Sequence, residues 1–281
     1  MLASENALYI VPTPIGNMDD ITNRAVEVLS TVDVICAEDT RHSFPLLEKI
    51  GVKNPNLISF HDHNETTKAK TIVDIILSGK SVAIISDAGT PLISDPGYHL
   101  VKECVANHVK VIPLPGPCAA ITALSASGMP TDRFSFEGFL PVKAKALSDK
   151  LNLLKYEERT MIFYEAPRRI MDSMKVIAEV FGDRNVTIGR ELTKTFETFY
   201  YGKASEMAAI LESDENYQKG EMVVIVQGYV NKGDEDGSIP QEALSLLKIL
   251  CEELSTKTAC KIVAAHYNLK KNDLYDIATK F

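Results

Sequence analysis

The chain has 281 residues, 45% hydrophobic and 24% charged, which is the composition of a globular protein and excludes a disordered or fibrous one. Its formal charge of −8 argues against a protein that coats nucleic acid through bulk electrostatics, so any nucleic-acid contact must be local. The length exceeds that of a usual single core and favours two α/β domains with a small appendage.

Neither export nor membrane insertion is indicated by the sequence. No apolar run approaches the length of a membrane span, and the first residues lack the basic and apolar regions of a secretion signal. The five cysteines are odd in number, widely spaced and without a CxxC pair. These features predict a cytoplasmic protein with reduced cysteines.

Residues 8–114 alternate apolar β-branched runs with segments of helical period, which is the rhythm of βαβ units. The predicted strands are 8–11, 32–36, 57–60, 81–85 and 109–114, and the predicted helices are 21–29, 68–77 and 98–106. Strands that are apolar on both faces predict a mostly parallel sheet covered by helices. Ligands of such sheets bind beyond the carboxyl ends of the strands.

A second set of elements follows residue 130. The predicted strands are 134–139, 160–164, 186–192, 197–201 and 221–226, and the predicted helices are 144–154, 168–180 and 204–211. The tight spacing between 186 and 201 predicts a hairpin and therefore a mixed sheet. We place a boundary near 118–129, which gives an N-terminal α/β domain over 1–118 and a C-terminal α/β domain over 119–230.

Residues 231–281 are predicted to be a linker and a small helical tail. Residues 231–238 contain two glycines and no apolar side chain, as linkers do. Helices are predicted at 259–267 and 273–278, with the proportions of a helix-turn-helix, and the surrounding segment is rich in lysine. A pair of packing helices without a nucleic-acid role explains the pattern equally well.

Four loops at predicted strand ends are dense in glycine, proline and aspartate: 12–17, 87–91, 94–97 and 113–117. Glycine allows a ligand to approach the backbone, proline fixes the chain, and aspartate accepts hydrogen bonds from hydroxyl or ammonium groups. Together they predict a preformed pocket for a small polar ligand. No GxGxxG follows a strand, and the GKS at 79–81 leads into a strand, so neither a dinucleotide fingerprint nor a P-loop is present.

The same loops carry a family resemblance. The segments concerned are LYIVPTPIGN at 8–17, AEDTR at 37–41, SDAGTPLISDPG at 86–97, PLPGP at 113–117, FEGFLP at 136–141, FYEAPRR at 163–169, GRELTK at 189–194 and GE at 220–221. They resemble the tetrapyrrole methylase superfamily and, more closely, its ribosomal RNA branch. The resemblance covers roughly residues 7–228, and its motifs are long, ordered and specific.

The resemblance implies a two-domain α/β methyltransferase that forms homodimers and binds S-adenosylmethionine between its domains. It also implies methylation of the ribose 2′-oxygen of a cytidine in the decoding centre of small-subunit ribosomal RNA, on the RNA or the assembled subunit. The tail resembles a helix-turn-helix-like extension of this branch, which favours a functional role for its lysines.

Carried over residue by residue, the resemblance implies a cofactor site with contributions from both domains. The first domain and the crossing would contribute Pro12, Asp87, Ala88, Gly89, Ile93, Ser94, Cys118 and Ala119. The second would contribute Phe163, Tyr164, Leu192, Gly220, Glu221 and Met222. Asp87 could instead only cap its turn, but its place at a strand end in the most motif-dense loop favours cofactor contact. Cys118 is interpreted as a packing residue.

A ribose hydroxyl is a weak nucleophile unless a base accepts its proton, so carboxylates near the acceptor are catalytic candidates. These are Glu38 and Asp39, with Arg41 beside them; the alternative is an ion-pair network that organises the loop. RNA contacts are predicted for Arg41, His61, His63, Arg168, Arg169, Arg190, Lys194, Lys261, Lys270 and Lys271. His61 and His63 lack a third spaced ligand, so no metal site is predicted.

Two other functions are compatible with these residues. One is C-methylation of a tetrapyrrole, a precorrin or uroporphyrinogen, on the same fold; the AEDTR and FYEAPRR segments and the basic tail argue against it. The other is a non-catalytic RNA-binding protein of ribosome assembly, which would keep a vestigial nucleoside pocket. Binding of S-adenosylmethionine separates the second from an enzyme.

Overall fold

A computed structural model describes residues 6–230, 239–267 and 269–279 of the chain. The chain divides into two compact units, Met1–Gly228 and Tyr229–Phe281. The first unit holds both predicted α/β domains, so the boundary at 118/119 stays a prediction within it. The second unit holds the helical tail.

The first sheet has five parallel strands in the order β3-β2-β4-β1-β5. They are β1 Ala7–Ile10, β2 Val34–Ala37, β3 Leu57–Ser59, β4 Val82–Ile85 and β5 Lys110–Pro113. Four helices accompany them: α1 Asn23–Thr31, α2 Thr40–Lys49, α3 Glu65–Leu77 and α4 Tyr98–Ala106. The predicted parallel sheet is confirmed, and its parallel strands bring the loops after all five to one edge.

Helices cover both faces of this sheet, as strands that are apolar on both faces require. On one face, Leu29 of α1 and Leu47 of α2 pack against Ile35 of β2. On the other, Ile76 of α3 and Leu100 of α4 belong to a separate core cluster. Because α2 is held by Leu47 on its inner side, its outer side remains available at the edge where the loops lie.

The second sheet is mixed, with the order β6-β7-β10-β8-β9. Its strands are β6 Phe134–Phe139, β7 Thr160–Glu165, β8 Asn185–Arg190, β9 Thr198–Lys203 and β10 Met222–Val226. Strands β6 and β7 are parallel, while β7–β10, β10–β8 and β8–β9 are antiparallel. Both the mixed sheet and the hairpin at 186–201 are therefore confirmed.

The helices of this half are α5 Ala119–Ala126, α6 Ala144–Leu153, α7 Ile170–Phe181 and α8 Ala204–Glu212. Leu147, Ile177 and Leu211, from the last three helices, pack in one cluster with Phe163 of β7. On the opposite face, Leu124 of α5 packs with Ile225 of β10, and this cluster also includes Ile15 from the loop after β1. The two sheets are thus joined through a shared apolar layer beside the loops.

Two of these helices were not predicted. Helix α2 contains Pro45, which removes a backbone donor and weakens any helical expectation. Helix α5 has the sequence AAITALSA, whose small and apolar residues lack a polar face, and the sequence interpretation placed a boundary there instead. Both follow strands at the loop edge and carry residues of the site described below.

Within its described residues, 229–230, 239–267 and 269–279, the second unit contains the helices α9 Gln241–Glu253, α10 Thr256–Tyr267 and α11 Lys271–Ala278. They enclose an apolar cluster that includes Leu247, Val263 and Leu274. The predicted helical tail is confirmed: the last two helices correspond to those predicted at 259–267 and 273–278, and α9 was not predicted. The predicted linker at 231–238 lies outside the described residues.

None of the helices in the described parts of the chain combines the length and the apolarity that a bilayer crossing requires.

Candidate functional site

A cavity of about 320 Å³, named here the central cavity, lies between the loop edge of the first sheet and the loops of the second. Its lining comes from both halves of the first unit: Ile15, Glu38, Asp87, Ala88, Gly89, Thr90, Ile93, Ser94, Asp95, Cys118, Ala119, Phe139, Tyr164, Leu192, Glu221, Met222 and Val223. The sequence predicted a ligand pocket at these strand ends. The structure contains a cavity there.

The first rim of the cavity consists of the loops after β1, β2, β4 and β5, which are joined mainly by backbone groups. Thr13 and Gly89 exchange two backbone hydrogen bonds of 2.9 and 3.0 Å. The Thr90 hydroxyl donates to the carbonyl of Pro117 at 2.7 Å, and the backbone N–H of Asp39 donates to Oδ1 of Asp87 at 3.3 Å. These bonds fix four loops against one another without a ligand.

Two glycines make this close joining possible. Gly89 has φ +87°, a left-handed conformation that side chains disfavour, and a Cβ there would lie 3.2 Å from Cγ2 of Ile15. A Cβ on Gly116 would lie 2.6 Å from Cβ of Pro12, so the ring of Pro12 occupies the space that Gly116 leaves. Glycine is therefore required at both positions because a Cβ would contact a neighbouring loop, and at Gly89 also because of its positive φ.

Carboxylates gather at the edge where β2, β3 and β4 end. Burial, followed by the charges of Asp95, Asp87 and Asp62, raises the pKa of Glu38 above its ordinary value. Burial also raises the pKa of Asp95 to about 6, with smaller upward contributions from Asp87 and Asp62 and a downward one from the Ser86 hydroxyl. An ionised cluster of this kind attracts a cationic ligand, and Glu38 and Asp95 hold protons more readily than free side chains.

The loop 92–97 is held in place by Glu65, a residue for which sequence reasoning predicted no such structural role. Glu65, the first residue of α3, is only 6% exposed, and its Oε1 accepts the backbone N–H groups of Gly97 at 2.9 Å and His99 at 2.6 Å. Leu92 and Ser94 in this loop adopt positive φ, which side chains rarely do. Glu65 therefore fixes the start of α4 and, through it, a strained loop that lines the cavity.

The second rim consists of residues 190–194 and 220–223, at the ends of β8 and β10. Leu192, Met222 and Val223 supply an apolar wall. At the neighbouring strand β7, Tyr164 accepts a hydrogen bond from the backbone N–H of Ala120 at 3.2 Å, and burial raises the pKa of its phenol. The wall is suited to a flat apolar group, with a neutral phenol beside it.

Backbone hydrogen bonds and ion pairs together hold the second rim: the N–H of Glu191 donates to the carbonyl of Glu221 at 2.9 Å, and the N–H of Glu221 donates to Oε1 of Glu191 at 2.9 Å. Nζ of Lys194 lies 3.0 Å from Glu191 Oε1 and 2.9 Å from Glu221 Oε2, and the side chain of Glu221 is 76% exposed. A Cβ on Gly220 would lie 2.4 Å from Cγ of Glu191, and one on Gly16 would lie 2.5 Å from Cγ of Lys194. These glycines let Glu191 and Lys194 lie against the backbone.

The three catalytic candidates occupy different places. Glu38 lines the central cavity and is partly buried. Asp39 caps α2 and binds the guanidinium of Arg41 through Nε at 3.1 Å and Nη2 at 2.7 Å, while the side chain of Arg41 is 90% exposed. Of the three, Glu38 alone belongs to the cavity lining; the ion pair Asp39–Arg41, which the sequence left as the alternative, is present in the loop.

All but three of the predicted cofactor residues line the central cavity. Pro12 instead packs on Gly116, and Gly220 packs on Glu191. Phe163 is 0% exposed in the core between β7 and the helices α6–α8, so its side chain faces away from the cavity. These three residues lie outside the lining of the cavity, and their part in the cofactor site stays a prediction. The lining residues that were not predicted as cofactor ligands are Ile15, Glu38, Thr90, Asp95, Phe139 and Val223.

Two of the predicted RNA-binding arginines are engaged inside the protein. Arg169 is 18% exposed; it pairs with the buried Glu165 at 2.6 Å and donates to the carbonyl of Leu140 at 3.0 Å. Arg190 donates to the carbonyls of Lys219 at 2.8 Å and Phe196 at 3.1 Å. Their donors join neighbouring loops, and the RNA contact predicted for both stays a prediction.

The other predicted RNA-binding residues have varied exposure. Arg168 and His63 are exposed, whereas His61 is partly buried, with its Nε2 3.0 Å from Nδ2 of Asn64. In the tail, Lys261 in α10 and Lys270 before α11 are exposed, and Lys271 at the start of α11 is partly buried. Over residues 6–230, 239–267 and 269–279, no group of three or more histidine, cysteine, aspartate or glutamate side chains is placed to hold a metal ion.

Comparison with known proteins gives matches over both units. A family model described as Tetrapyrrole (Corrin/Porphyrin) Methylases matches residues 7–208, and one described as RsmI C-terminal HTH domain matches residues 237–280. A Vibrio cholerae protein named ribosomal RNA small subunit methyltransferase I is 54% identical over 269 residues, covering 95% of this chain and 92% of that protein. A protein of the same name from Escherichia coli O157:H7 is 51% identical, covering 98% and 95%.

Solved structures give the same fold at lower identity. The crystal structure of the methyltransferase CobJ superposes with a TM-score of 0.59 at 17% sequence identity, covering 81% of this chain and 98% of that chain. At that identity the likeness shows the fold alone.

Proposed function

We propose, since the chain belongs to the tetrapyrrole methylase family and within it to the ribosomal RNA small subunit methyltransferase I branch, that it methylates the 2′-oxygen of a cytidine in the decoding centre of small-subunit ribosomal RNA. The membership confirms the resemblance inferred from the loop motifs, and the chain is an S-adenosylmethionine-dependent methyltransferase. The cytidine, its 2′-oxygen and the decoding centre are the proposed part. The observation that carries the site is the central cavity, with carboxylates on its first rim and apolar groups on its second.

The residues of the central cavity fit S-adenosylmethionine. This cofactor has an adenine ring, ribose hydroxyls, and ammonium and sulfonium cations. Glu38, Asp87 and Asp95 provide acceptors and negative charge, while Leu192 and Met222 provide an apolar wall. Gly89, in its left-handed conformation, has no side chain and so lets a ligand approach the backbone of its loop. We assign the cofactor to this cavity through the predicted residues that line it.

S-adenosylmethionine, when bound, supplies an electrophilic methyl group on a sulfonium centre. The protein must bring the acceptor oxygen into line with that methyl group, which can account for much of the rate enhancement. We assign Glu38 as the group that accepts the proton of the ribose hydroxyl. Its raised pKa makes it a stronger base than a free glutamate, and it lines the cavity beside Asp87.

RNA binding and self-association belong to the same proposal. Arg41, Arg168 and His63 are exposed after β2, β7 and β3 of the first unit, and Lys261 and Lys270 are exposed on the tail. The match of residues 237–280 to a helix-turn-helix model supports a nucleic-acid role for the tail. A homodimer, with domains divided at 118/119, completes the proposed organisation.

The experiment is methyl transfer with purified protein and labelled S-adenosylmethionine. Four acceptors are compared: small ribosomal subunits from cells that lack the gene, naked small-subunit RNA, uroporphyrinogen and a precorrin. The expected product is a 2′-O-methylated cytidine in the subunit or its RNA, identified by nuclease digestion and mass spectrometry. Label found only in the tetrapyrrole overturns the proposed substrate, and failure to bind S-adenosylmethionine in calorimetry overturns the enzyme.

A further inference from the structure

A second cavity, named here the α2 cavity, adjoins the central cavity. Its volume is about 560 Å³, and it shares four lining residues with the central cavity: Ile15, Asp87, Ala88 and Glu221. A molecule in either cavity contacts the same dividing residues. The α2 cavity is therefore placed where an acceptor would lie beside a methyl donor.

One face of α2 forms a wall of this cavity. Arg41, Pro45 and Lys49 are four residues apart, and His42 and Leu46 are also four apart, so all five lie on one side of the helix. Ser43 and Leu47 on the other side are buried, and the packing of Leu47 fixes which face is presented. The wall therefore combines two permanent cations with apolar groups.

The guanidinium of Arg41 in this wall is oriented by Asp39. Asp39 binds two nitrogens of its guanidinium, and the hydrogen bonds and charge of Asp39 raise the pKa of Arg41. The arginine side chain is nevertheless 90% exposed. A guanidinium held at one edge in this way can still donate from its other edge to a phosphate, with less loss of side-chain freedom.

Lys49 and Lys194 differ in the charge they can offer. Lys194 is held between Glu191 and Glu221, which balance its charge. Lys49 is exposed and takes part in no ion pair within the described parts of the chain. Of the two lysines of the α2 cavity, Lys49 is thus the one whose charge is available to an anionic ligand.

The rest of the lining suits a nucleoside. Pro14, Met18 and Leu46 offer apolar surface to a base, while Arg41 and Lys49 offer charge to a phosphate. Single-stranded RNA is recognised through this pairing of stacking surface and backbone contact. Asp87, on the dividing wall, faces the side where a ribose would meet the central cavity.

We propose that the α2 cavity binds a nucleotide of the acceptor RNA, with a backbone phosphate between Arg41 and Lys49 and the ribose toward Asp87. The inference rests on the proposed function, because it names the place of the acceptor beside the methyl donor. It adds Lys49, with His42 and the apolar groups of α2, to the residues that bind RNA.

The test compares Lys49→Gln with Lys102→Gln. Lys102 is exposed on α4, which packs on the opposite face of the first sheet, so its substitution removes the same charge at a distance from the cavity. The probe is a fluorescein-labelled single-stranded RNA of about six nucleotides, measured over a salt series. A parallel measurement determines kcat/KM for small subunits.

Lys49→Gln is expected to weaken RNA binding by about threefold to tenfold, to lower kcat/KM by a similar factor, and to reduce the salt slope by about 1, with the Kd for S-adenosylmethionine unchanged. Lys102→Gln is expected to match the wild type in RNA affinity, kcat/KM, salt slope and Kd for S-adenosylmethionine. Equal RNA affinity and kcat/KM in the two variants overturns the inference.

The two proposals fail in different ways. A wild-type protein that transfers no methyl group to any ribosomal acceptor, yet binds RNA through Lys49, overturns the proposed function and leaves the cavity assignment standing. If the protein methylates small subunits and this activity does not depend on Lys49, the cavity assignment is overturned and the proposed function stands.

Discussion

The two rims of the central cavity are built in different ways. The first rim is joined by backbone hydrogen bonds, such as the pair between Thr13 and Gly89, and by contacts that only glycine permits. The second rim has such a bond, from the backbone N–H of Glu191 to the carbonyl of Glu221, and adds the ion pairs of Lys194, whose partner Glu221 is largely exposed. Surface ion pairs contribute little to the free energy of unfolding, and salt screens them. Backbone hydrogen bonds between buried loops are not screened in this way.

From this difference we expect the two rims to have different roles in function. The bonds that fix the first rim lie within the protein itself, which suits the recognition of a constant cofactor. The second rim contributes apolar side chains on a frame that depends on charge. We expect substitutions of the first rim to act mainly on cofactor binding and those of the second to act more weakly and with a dependence on salt.

The largest effect is expected for Gly89→Ala. Its natural control is Gly51→Ala, because Gly51 has φ +85°, close to the +87° of Gly89, but no atom within 4 Å of the added Cβ. Each substitution should lower the free energy of unfolding by about 1 to 2 kcal/mol through backbone strain. Calorimetry should show that Gly89→Ala alone raises the Kd for S-adenosylmethionine, by about tenfold or more. Equal Kd values in both variants would contradict a preformed first rim.

A smaller effect is expected for Gly220→Ala in the second rim. Gly220 has φ +88°, so Gly51→Ala again controls for strain, but the new Cβ would displace the side chain of Glu191 and with it the bond to Lys194. A flexible side chain can move, and the Kd for S-adenosylmethionine should rise only about threefold. The comparison of the rims fails if this loss equals or exceeds that of Gly89→Ala.

The carboxylates of the first rim predict opposite effects of pH on stability and on binding. Asp95 has a pKa of about 6, above its unfolded value, so the folded protein holds the proton more tightly. Its contribution to the free energy of unfolding therefore falls as the pH rises from about 4 to about 6. A cationic ligand prefers the ionised carboxylates, so affinity for S-adenosylmethionine should rise severalfold between about pH 5 and about pH 7.5.

Asp95→Asn and S-adenosylhomocysteine provide the controls for this prediction. The variant removes one titrating group, and the demethylated product lacks the sulfonium charge. Both should show a weaker rise of affinity with pH in calorimetry than wild-type protein with S-adenosylmethionine. An identical pH profile in all three cases would mean that the carboxylate cluster does not face the cofactor.

The smallest effect is expected for Lys194→Met. The substitution keeps much of the side-chain stem beside Gly16 and removes the charge that binds Glu191 and Glu221. The free energy of unfolding should fall by less than about 1 kcal/mol in dilute buffer, and the difference should shrink in about 0.5 M salt. Urea denaturation at the two ionic strengths measures it. A loss that salt leaves unchanged would show that the second rim is held by packing.

Much of the fold could be predicted from apolar patterning. The strands 134–139 and 160–164 are close to the observed β6 and β7, and the predicted helix at 98–106 agrees with α4 Tyr98–Ala106. Helix α9 Gln241–Glu253 was missed although Ala243, Leu247 and Leu250 carry a helical period. Helix α2 is harder to foresee, because Pro45 opposes it and Leu47 supplies its inner contact only after folding.

The site could be predicted to the level of loops and not of side-chain direction. Glu38 and Arg41 are three residues apart, yet one lines the central cavity and the other the α2 cavity. Arg169 has the sequence character of an exposed phosphate ligand, but a buried glutamate four residues earlier binds it. The direction of a side chain and the partner it binds depend on residues that are distant in the chain or buried by packing. Local sequence patterns do not contain this information.

The central claim is tested most directly by mapping ribose methylation in small-subunit ribosomal RNA with mass spectrometry. RNA from cells with the gene, without it, and without it but expressing the Gly89→Ala or Gly51→Ala variant would be compared. We expect one 2′-O-methylated cytidine in the decoding centre that is absent without the gene, restored by Gly51→Ala and reduced with Gly89→Ala. Unchanged ribose methylation in cells without the gene would contradict it.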